Sequence, residues 1–353
     1  MPVTDAPILV TGATGFIASR IIEQLLASGR SVRGSVRSLK KEQDIAPLRS
    51  LPGAAERLEL VEADLLAEGS FDGAAAGCTY VMHTASPYVL NVTDPQRDLV
   101  DPAVLGTRNV LASCERARTA RVVLTSSMAA ITDEPESDRV LTEDDWNTKS
   151  SLERNPYYYA KTLAERAAWE FVRQRQPPFD LIAINPFLVI GPSLVPGLNT
   201  SNQVLVDLLK GTYPGIVALT WGFVDVRDVA ASHVRAMETP GASGRYICAG
   251  ETASMRTVVG ILRKHGWSDG YKLPTIGLDN AAGNLLVRLG SYLESKGVGS
   301  YLRTHVGRVP RYETSKIRHD LRMEFRPLEQ TIVDTMVDLQ RWGHLPPRRL
   351  RAL

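Results

Sequence analysis

Ser127, Tyr157 and Lys161 carry side chains that together could move a proton at an alcohol or carbonyl oxygen. A phenol with its usual pKa of about 10 exchanges protons poorly at neutral pH. A nearby ammonium favours the phenolate and lowers the pKa of such a phenol. A serine hydroxyl in the same site could polarise a carbonyl. These residue types therefore indicate acid–base chemistry at a carbon–oxygen bond, provided that the fold brings them together.

Tyr157 and Lys161 are four residues apart, a spacing that places both side chains on one face of a helix. The segment from Tyr157 to Gln174 is rich in Ala, Leu, Glu and Arg, which predicts that helix. Asn155 is a favoured N-cap residue, and Pro156 suits the first helical position. Surface helices also carry this spacing by chance, so its meaning depends on the rest of the chain.

A glycine-rich turn near the N terminus predicts a dinucleotide-binding site. The apolar run 7–11 predicts a buried parallel strand, and an amphipathic helix follows the turn. Glycine permits the tight turn, and it lets a pyrophosphate approach the backbone N–H groups at the helix N terminus. Ala18, at the third small position, still allows close packing of helix on strand. The predicted contacts in this turn are Gly12, Thr14, Gly15, Phe16 and Ile17.

The end of the next predicted strand, residues 31–38, distinguishes NADP from NAD. NAD enzymes usually place an Asp or Glu there to hold the ribose 2′-hydroxyl. This chain has Arg37 instead, followed by Lys40 and Lys41. A planar guanidinium with flanking ammonium groups suits a 2′-phosphate. The sequence therefore predicts NADP(H), with Arg37 as the main contact and either Lys40 or Lys41 as a helper.

Four further apolar runs, 57–65, 80–87, 121–127 and 181–186, predict strands that alternate with helices. This alternation is typical of an α/β fold of the Rossmann type, a doubly wound parallel sheet. Ligands of such sheets lie beyond the carboxyl ends of the strands. We therefore expect Asp64 and Leu65 near the adenine, and Thr84, Ala85 and Ser86 near the middle of the cofactor.

With these motifs in place, the chain resembles an extended short-chain dehydrogenase/reductase of the NAD-dependent epimerase/dehydratase superfamily. The resemblance is to the dihydroflavonol-reductase-like branch, which includes plant flavonoid and cinnamoyl reductases and microbial aldehyde and ketone reductases. It covers nearly the whole chain. The matching segments are residues 10–18, 36–38, 124–127, 157–165, 185–192, 223–230, 312–317 and 325–329.

The resemblance implies that Ser127, Tyr157 and Lys161 form the catalytic triad, with Ser126 as an alternative to Ser127. Tyr157 would donate a proton to the carbonyl oxygen, and Lys161 would hold the nicotinamide ribose hydroxyls. Ser127 would hydrogen-bond the developing alkoxide. Pro186, Phe187 and Val189 would contact the cofactor at the nicotinamide end.

Two features of the wider superfamily are absent at the expected positions. Many members add a catalytic asparagine on the helix before the serine strand, but Leu105 occupies that position here and Asn109 does not match it. A proton relay through such an asparagine is therefore in doubt. Dehydratases carry an Asp-Glu pair beside a threonine at the serine position, whereas this chain has Met128 after Ser127.

The predicted function is NADPH-dependent reduction of a bulky, uncharged aldehyde or ketone, with an aromatic substrate favoured by the residues expected around the pocket. Those residues are Ser86, Tyr88, Phe187, Leu188, Tyr213, Trp221 and Phe223. One alternative is oxidation of a hydroxysteroid-like alcohol, or isomerase or sugar-epimerase chemistry on the same fold. Another is a non-catalytic NADP-sensing protein, against which the intact triad argues.

Composition narrows the class of protein further. A net charge of +2 over 353 residues is too near neutral for nucleic-acid binding, and the apolar stretch 179–197 is broken by Asn, Pro and Gly residues. Three scattered cysteines and six scattered histidines show no metal-ligand spacing. We expect a cytoplasmic enzyme without metal or signal peptide, acting on a small-molecule carbonyl or alcohol as a monomer or homodimer, with no membrane or nucleic-acid partner.

The predicted NADP-binding domain comprises residues 1–192 and 216–250. The predicted substrate lobe comprises residues 193–215 and 251–345, and residues 346–353 are predicted to form a flexible tail. An amphipathic stripe within 280–302 is predicted to be core. His83 and His233 are predicted to be structural.

Overall fold

The computed structural model describes residues 6–86, 93–136 and 138–346. Its central feature is a seven-stranded sheet in the order β3-β2-β1-β4-β5-β7-β11, in which every neighbouring pair is parallel. The strand order reverses direction between β1 and β4, as in the doubly wound nucleotide-binding folds. The predicted α/β class and Rossmann-type sheet are confirmed.

The strands of the described residues are β1 Ile8–Val10, β2 Val32–Val36, β3 Leu58–Glu62, β4 Tyr80–His83, β5 Arg121–Thr125, β6 Val140–Leu141, β7 Asp180–Pro186, β8 Leu188–Ile190, β9 Ile216–Val217, β10 Thr220–Asp225, β11 Gly244–Cys248, β12 Thr252–Ser254, β13 Gly277–Leu278 and β14 Arg311–Tyr312. The α-helices are α1 Phe16–Ala27, α2 Glu42–Arg49, α3 Ala54–Arg57, α4 Asp72–Ala75, α5 Asp101–Arg116, α6 Pro156–Arg175, α7 Thr200–Lys210, α8 Val226–Glu238, α9 Met255–Lys264, α10 Ala281–Gly290, α11 Lys296–His305, α12 Ser315–Asp320 and α13 Leu328–Arg341. A π-helical turn spans Gln96–Val100, and a short 3₁₀ helix spans Met128–Ala130.

Both faces of the sheet are buried at its central strands β1, β4, β5 and β7, which explains their largely apolar sequences. Ile8 and Val10 of β1 point to the face covered by α1 and α8, and their side chains join that core. Leu9 points to the opposite face, with residues of α5 and α6. Because side chains alternate along a strand, one short strand contributes to two cores.

A second body of structure packs beside the sheet around its own core. Strands β8, β10 and β12 form a separate three-stranded sheet, and β9 pairs with β13. Side chains of α7, α9 and α13 share a core with Trp221 and Phe223 of β10. Strands β9 and β10 pair outside the central sheet, and β11 is paired within it.

The amphipathic stripe on and after α10 is exposed, so its prediction as core is wrong. The exposed fractions of these side chains run from 59% to 93%. They belong to Leu285, Leu286, Leu289, Tyr292 and Leu293. The buried contact of α10 is made by its backbone at Gly283, where a Cβ would lie 2.2 Å from the carbonyl oxygen of Leu278. The helix thus packs through Gly283 and the half-buried Val287, and it presents Leu285, Leu286 and Leu289 outward.

Among the described residues, no helix combines the length and apolar character needed to cross a membrane. Two predictions fall outside those residues, namely the place of Tyr88 in the pocket and all but the first residue of the flexible tail.

Candidate active site

The residues predicted to bind cofactor and substrate follow the carboxyl ends of six neighbouring strands. Because all these strands are parallel, those ends lie along one edge of the sheet. In order across the edge, β3 is followed by Asp64, β2 by Arg37, β1 by Gly12, β4 by Ser86, β5 by Ser127 and β7 by Phe187. The topological switch point between β1 and β4 falls in the middle of this row, where such folds bind ligands.

The turn between β1 and α1 has the geometry of an anion site. Gly12 has a φ of 67°, and a Cβ there would lie 3.1 Å from the Cβ of Ala85. Gly15 is the N-cap of α1, and no side chain caps this end of the helix. The first turn of α1 contains no acidic residue. Free backbone N–H groups and the positive end of the helix dipole together suit a phosphate.

Thr11 holds this turn against the loop that follows β4, a role that the sequence analysis missed. Its hydroxyl oxygen accepts hydrogen bonds from the backbone N–H groups of Thr84 (3.1 Å) and Ala85 (2.9 Å). The Thr84 hydroxyl donates in return to the Thr11 carbonyl. Thr11 Oγ1 also lies 3.0 Å from His83 Nδ1. Two loops predicted to contact the cofactor are thereby joined through one buried side chain.

His83 is predicted to be structural, but only one of its two ring nitrogens has a hydrogen-bond partner among the described residues. Its side chain is 1% exposed, and its Nε2 has no hydrogen-bond partner among the described residues. Burial lowers the pKa of His83 to about 3, and the nearby Lys161 ammonium acts in the same direction. His233 is fully satisfied, with Nδ1 at 2.8 Å from the Val229 carbonyl oxygen and Nε2 at 2.7 Å from Thr125 Oγ1.

Arg37 is exposed immediately after β2, and no ion pair to it is seen in the described part of the chain. Glu62 of β3 pairs with Val36, the residue before Arg37. Its carboxylate accepts a hydrogen bond of 2.7 Å from the Leu39 backbone N–H and makes no ion pair with Arg37 among the described residues. After β3, the exposed Asp64 carboxylate accepts a hydrogen bond from the Leu66 N–H, and the Leu65 carbonyl accepts one from Asn109 Nδ2 at 2.8 Å. Asn109 therefore fixes the loop that carries Leu65.

Helix α6 begins where the sequence predicts, but Asn155 positions it in another way. The Asn155 side chain makes no capping hydrogen bond, and its backbone is left-handed, with a φ of 49°. Its Nδ2 donates to Asp133 and, at 3.1 Å, to Thr304 Oγ1, while its N–H donates to Ser300 Oγ at 3.2 Å. Asn155 thus ties the start of the helix to the 131–136 loop and to α11.

Tyr157 and Lys161 lie one turn apart on α6, and both side chains are half-buried. Lys161 Nζ donates a hydrogen bond of 3.0 Å to Ser86 Oγ, which joins the helix to the loop after β4. Loss of hydration lowers the pKa of the Lys161 ammonium to about 8, and the carboxylate of Glu165 opposes that shift. A pKa lowered in this way by burial is typical of functional sites.

The two adjacent serines have different environments. Ser126 is 7% exposed and donates to Glu165 Oε2 at 2.5 Å, so its hydroxyl is committed to the interior. Ser127 is half-buried, and its Oγ accepts a hydrogen bond of 3.1 Å from the Ala129 N–H. That bond starts the 3₁₀ turn, which packs against α6. Of the two hydroxyls, only that of Ser127 donates no hydrogen bond to another described residue.

At the β7 end of the row, Phe187 is half-buried while Pro186 and Val189 are buried. The Phe187 ring lies 5.7 Å from that of Tyr312. Two residues expected around the pocket are core instead: Trp221 and Phe223 are 4% and 2% exposed, and Trp221 Nε1 donates to the Tyr301 hydroxyl. The prediction that Trp221 and Phe223 line the pocket is therefore wrong. Leu188 and Tyr213 are half-buried beside the same core.

The chain is similar to known proteins over most of its length. The model of the NAD dependent epimerase/dehydratase family matches residues 8–249. Cinnamoyl-CoA reductase 2 of Medicago truncatula is 38% identical over 347 residues, which are 97% of this chain and 94% of that protein. Tetraketide alpha-pyrone reductase 1 of Arabidopsis thaliana is 35% identical over 347 residues, 96% of each chain.

Among solved structures, the yeast methylglyoxal/isovaleraldehyde reductase Gre2 complexed with NADPH superposes with a TM-score of 0.79 and 29% identity, covering 96% of this chain and 100% of that one. Both the family match and the identity to full-length reductases exceed what a shared fold alone would produce. The chain therefore belongs to the NAD dependent epimerase/dehydratase family and is an oxidoreductase of its dihydroflavonol-reductase-like and cinnamoyl-CoA-reductase-like branch.

Proposed function

We propose that this protein catalyses the NADPH-dependent reduction of a bulky, uncharged aldehyde or ketone, with aromatic compounds as the favoured class. The observation that carries the proposal is the position of Lys161. It lies one turn from Tyr157 on α6 and is hydrogen-bonded to Ser86, at the sheet edge where Ser127 also lies. The relatives reported above are all named as reductases, and the yeast structure is a complex with NADPH.

The residues present fit NADP(H). The uncapped N terminus of α1 leaves backbone N–H groups for the pyrophosphate, and the close approach of Gly12 to Ala85 brings the loop after β4 beside them. Arg37 stands where an NAD enzyme would carry an acidic residue, and its exposed guanidinium suits the 2′-phosphate. Asp64 and Leu65 would lie beside the adenine, and the nicotinamide would lie towards Phe187.

The bound cofactor supplies the hydride, and the side chains of this chain manage the proton. Tyr157 donates its phenolic proton to the carbonyl oxygen as the carbon is reduced, which leaves an alcohol and a phenolate. Lys161, as an ammonium, stabilises that phenolate and holds the nicotinamide ribose hydroxyls. Ser127 donates a hydrogen bond to the same oxygen and stabilises the negative charge that develops there.

The substrate class rests on the apolar and aromatic residues beside this edge. Phe187, Leu188 and Tyr213 are each half-buried next to the second core. Burial raises the pKa of Tyr213 to about 12, so it is a neutral phenol at physiological pH. A pocket lined by apolar and aromatic side chains of this kind favours apolar, uncharged ligands.

The direct test is consumption of NADPH, and separately of NADH, by the purified protein with a panel of aromatic and aliphatic aldehydes and ketones. We expect turnover with NADPH and a preference for bulky aromatic carbonyls. Binding of NADPH without turnover of any carbonyl would contradict the proposal. Oxidation of alcohols with NADP⁺ but no reduction of carbonyls would favour the alcohol-dehydrogenase alternative.

Replacement of Tyr157 by Phe tests the proton donor. We expect Y157F to bind NADPH with a Kd within about threefold of wild type but to lose at least about 100-fold in kcat, because general acid catalysis contributes about 10²–10⁴-fold. The matched control is Y159F, which removes a hydroxyl from the same helix in a small cluster with Ala160 and Leu152. Equal turnover in Y157F and Y159F would refute the role of Tyr157.

A further inference from the structure

The side chain of Glu165 lies behind the proposed site, one helical turn after Lys161, and is 1% exposed. Its carboxylate accepts hydrogen bonds from four side chains, three of them on α6, β7 and β11 and the fourth directly after β5. Ser126 Oγ at 2.5 Å and Asn185 Nδ2 at 2.7 Å donate to Oε2, and Trp169 Nε1 at 3.1 Å donates to Oε1. Arg245 of β11 donates from Nε to Oε1 at 2.6 Å and from Nη2 to Oε2 at 3.3 Å. Since every partner donates, this is the environment of an ionised carboxylate.

Two of these partners lead directly to the proposed catalytic serine. Ser126 precedes Ser127 in the chain. Asn185 Nδ2 donates both to Glu165 Oε2 and, at 3.1 Å, to the carbonyl oxygen of Ser127. The backbone of Ser127 is therefore held to the helix that carries Tyr157 through one buried carboxylate. A displaced Glu165 would change the distance between the serine and the tyrosine.

The cation that holds Glu165 is itself firmly placed. Arg245 is 7% exposed, and its Nη1 donates to the carbonyl oxygens of Glu143 (2.8 Å) and Asp145 (2.5 Å). Its guanidinium also lies over the Trp146 ring, 4.0 Å from the centroid. Arg245 and Glu165 form a buried, hydrogen-bonded ion pair, and separating two such charges costs free energy. The position of Glu165 is therefore well determined.

From this geometry we infer that Glu165 is a positioning residue for catalysis: it sets the placement of Ser127 against Tyr157 and keeps Lys161 in its charged form. The inference rests on the proposed function, because it assigns Glu165 a role through those three residues. The Glu165 carboxylate is buried and hydrogen-bonded to protein side chains, so its effect on the reaction would pass through those residues.

The charged form of Lys161 depends on few neighbours. Burial disfavours the ammonium, and Glu165 on its own helix is the carboxylate that opposes this effect. From β4 and the loop after it, Lys161 faces His83, which is neutral because burial lowers its pKa to about 3, and the uncharged Ser86. Behind Glu165 stands the cation Arg245. Removal of the Glu165 charge should therefore favour the neutral amine of Lys161.

The test compares E165Q with R245Q, a matched control that breaks the same buried pair but keeps the carboxylate. The titration of Lys161 is followed by NMR of ¹³Cε-labelled lysine in the cofactor-free protein, with its signal identified by its loss in K161R. We expect the Lys161 titration to move to lower pH in E165Q and not in R245Q. We also expect kcat to fall by about 10- to 100-fold in E165Q at pH 7, as for small misplacements of reacting groups, with the NADPH Kd within about threefold of wild type.

An unchanged Lys161 titration in E165Q would overturn the inference, as would losses of kcat that simply follow the fall in Tm of both variants. If E165Q does not fold because Arg245 is left unpaired, the double variant E165Q/R245Q removes both charges and should show the same downward shift. The NMR titration needs no turnover. Failure of the proposed function would instead appear as Y157F retaining wild-type activity, whatever Lys161 does.

Discussion

Among single residues, Arg37 offers the simplest test of cofactor choice. It follows β2 directly, is exposed, and has no acidic neighbour on that strand end. The charge-assisted hydrogen bonds that a guanidinium makes to a phosphate contribute about 1.5–3 kcal/mol, or about 10- to 150-fold in affinity. A residue of this kind discriminates between cofactors that differ only by that phosphate.

In R37D we therefore expect the NADPH Kd to rise at least about tenfold while the NADH Kd stays level or falls. Affinities should be measured at one fixed ionic strength, because salt screens exposed charges. K40A and K41A, measured alongside, decide which lysine assists: the helper should lose affinity for NADPH and not for NADH. An equal loss of both cofactors in R37D would mean that Arg37 supports the loop and does not read the 2′-phosphate.

At the scale of elements, the start of α6 decides where Tyr157 lies. Asn155 holds this point with a left-handed backbone and with side-chain hydrogen bonds to the buried Asp133 and to Thr304 of α11. Arg154 donates to the same Asp133 carboxylate at 2.6 Å. Residues from two distant segments thus fix the first turn of the helix that carries the proposed proton donor.

We expect N155A to lower the free energy of unfolding by about 2–4 kcal/mol, because it removes buried hydrogen bonds and because alanine tolerates a left-handed backbone less well than asparagine does. N155G should lose about 1 kcal/mol less, since glycine tolerates that backbone. Urea denaturation measures both. The control is Q176G at the exposed other end of α6, where φ is 47° and glycine should leave stability equal or slightly raised. Equal stability of N155A and wild type would contradict this account of the helix start.

For the whole molecule, buried histidines make stability depend on pH. Burial lowers the pKa of His83 to about 3 and those of His233 and His305 to about 4. In the unfolded chain each returns to about 6.5. Below that pH the unfolded state binds more protons than the folded state, so stability falls as the solution is acidified. Each histidine contributes at most about 1.4 kcal/mol per pH unit.

We therefore expect the free energy of unfolding to decline between about pH 6.5 and pH 4, with a slope that H233Q reduces by up to about 1.4 kcal/mol per pH unit. The measurement is a series of urea titrations at pH 8, 6 and 5. H319Q is the control, because the His319 side chain is 90% exposed and its variant should keep the wild-type slope. The same slope in H233Q and wild type would show that His233 is not the source.

Local features of the sequence sufficed for much of this architecture. The strand–glycine turn–helix at residues 8–27, the strands that follow it and the helix of Tyr157 and Lys161 could be predicted because each depends on nearby residues. Hydrophobic periodicity, helix propensity and the i, i+4 spacing all act over a few positions. Because ligands of parallel sheets bind beyond the carboxyl ends of the strands, the predicted site residues could also be assigned to one edge of the sheet.

Only the tertiary structure decided the rest, because it depends on partners far apart in the chain. Periodicity showed an apolar stripe around Leu289 but could not show that this face of α10 points to solvent. The difference between Ser126 and Ser127 arises from Glu165, 39 residues from Ser126. The charge of Glu165 in turn is balanced by Arg245, a further 80 residues away. Burial, hydrogen bonding and charge pairing are properties of the packed molecule, and no local pattern specifies them.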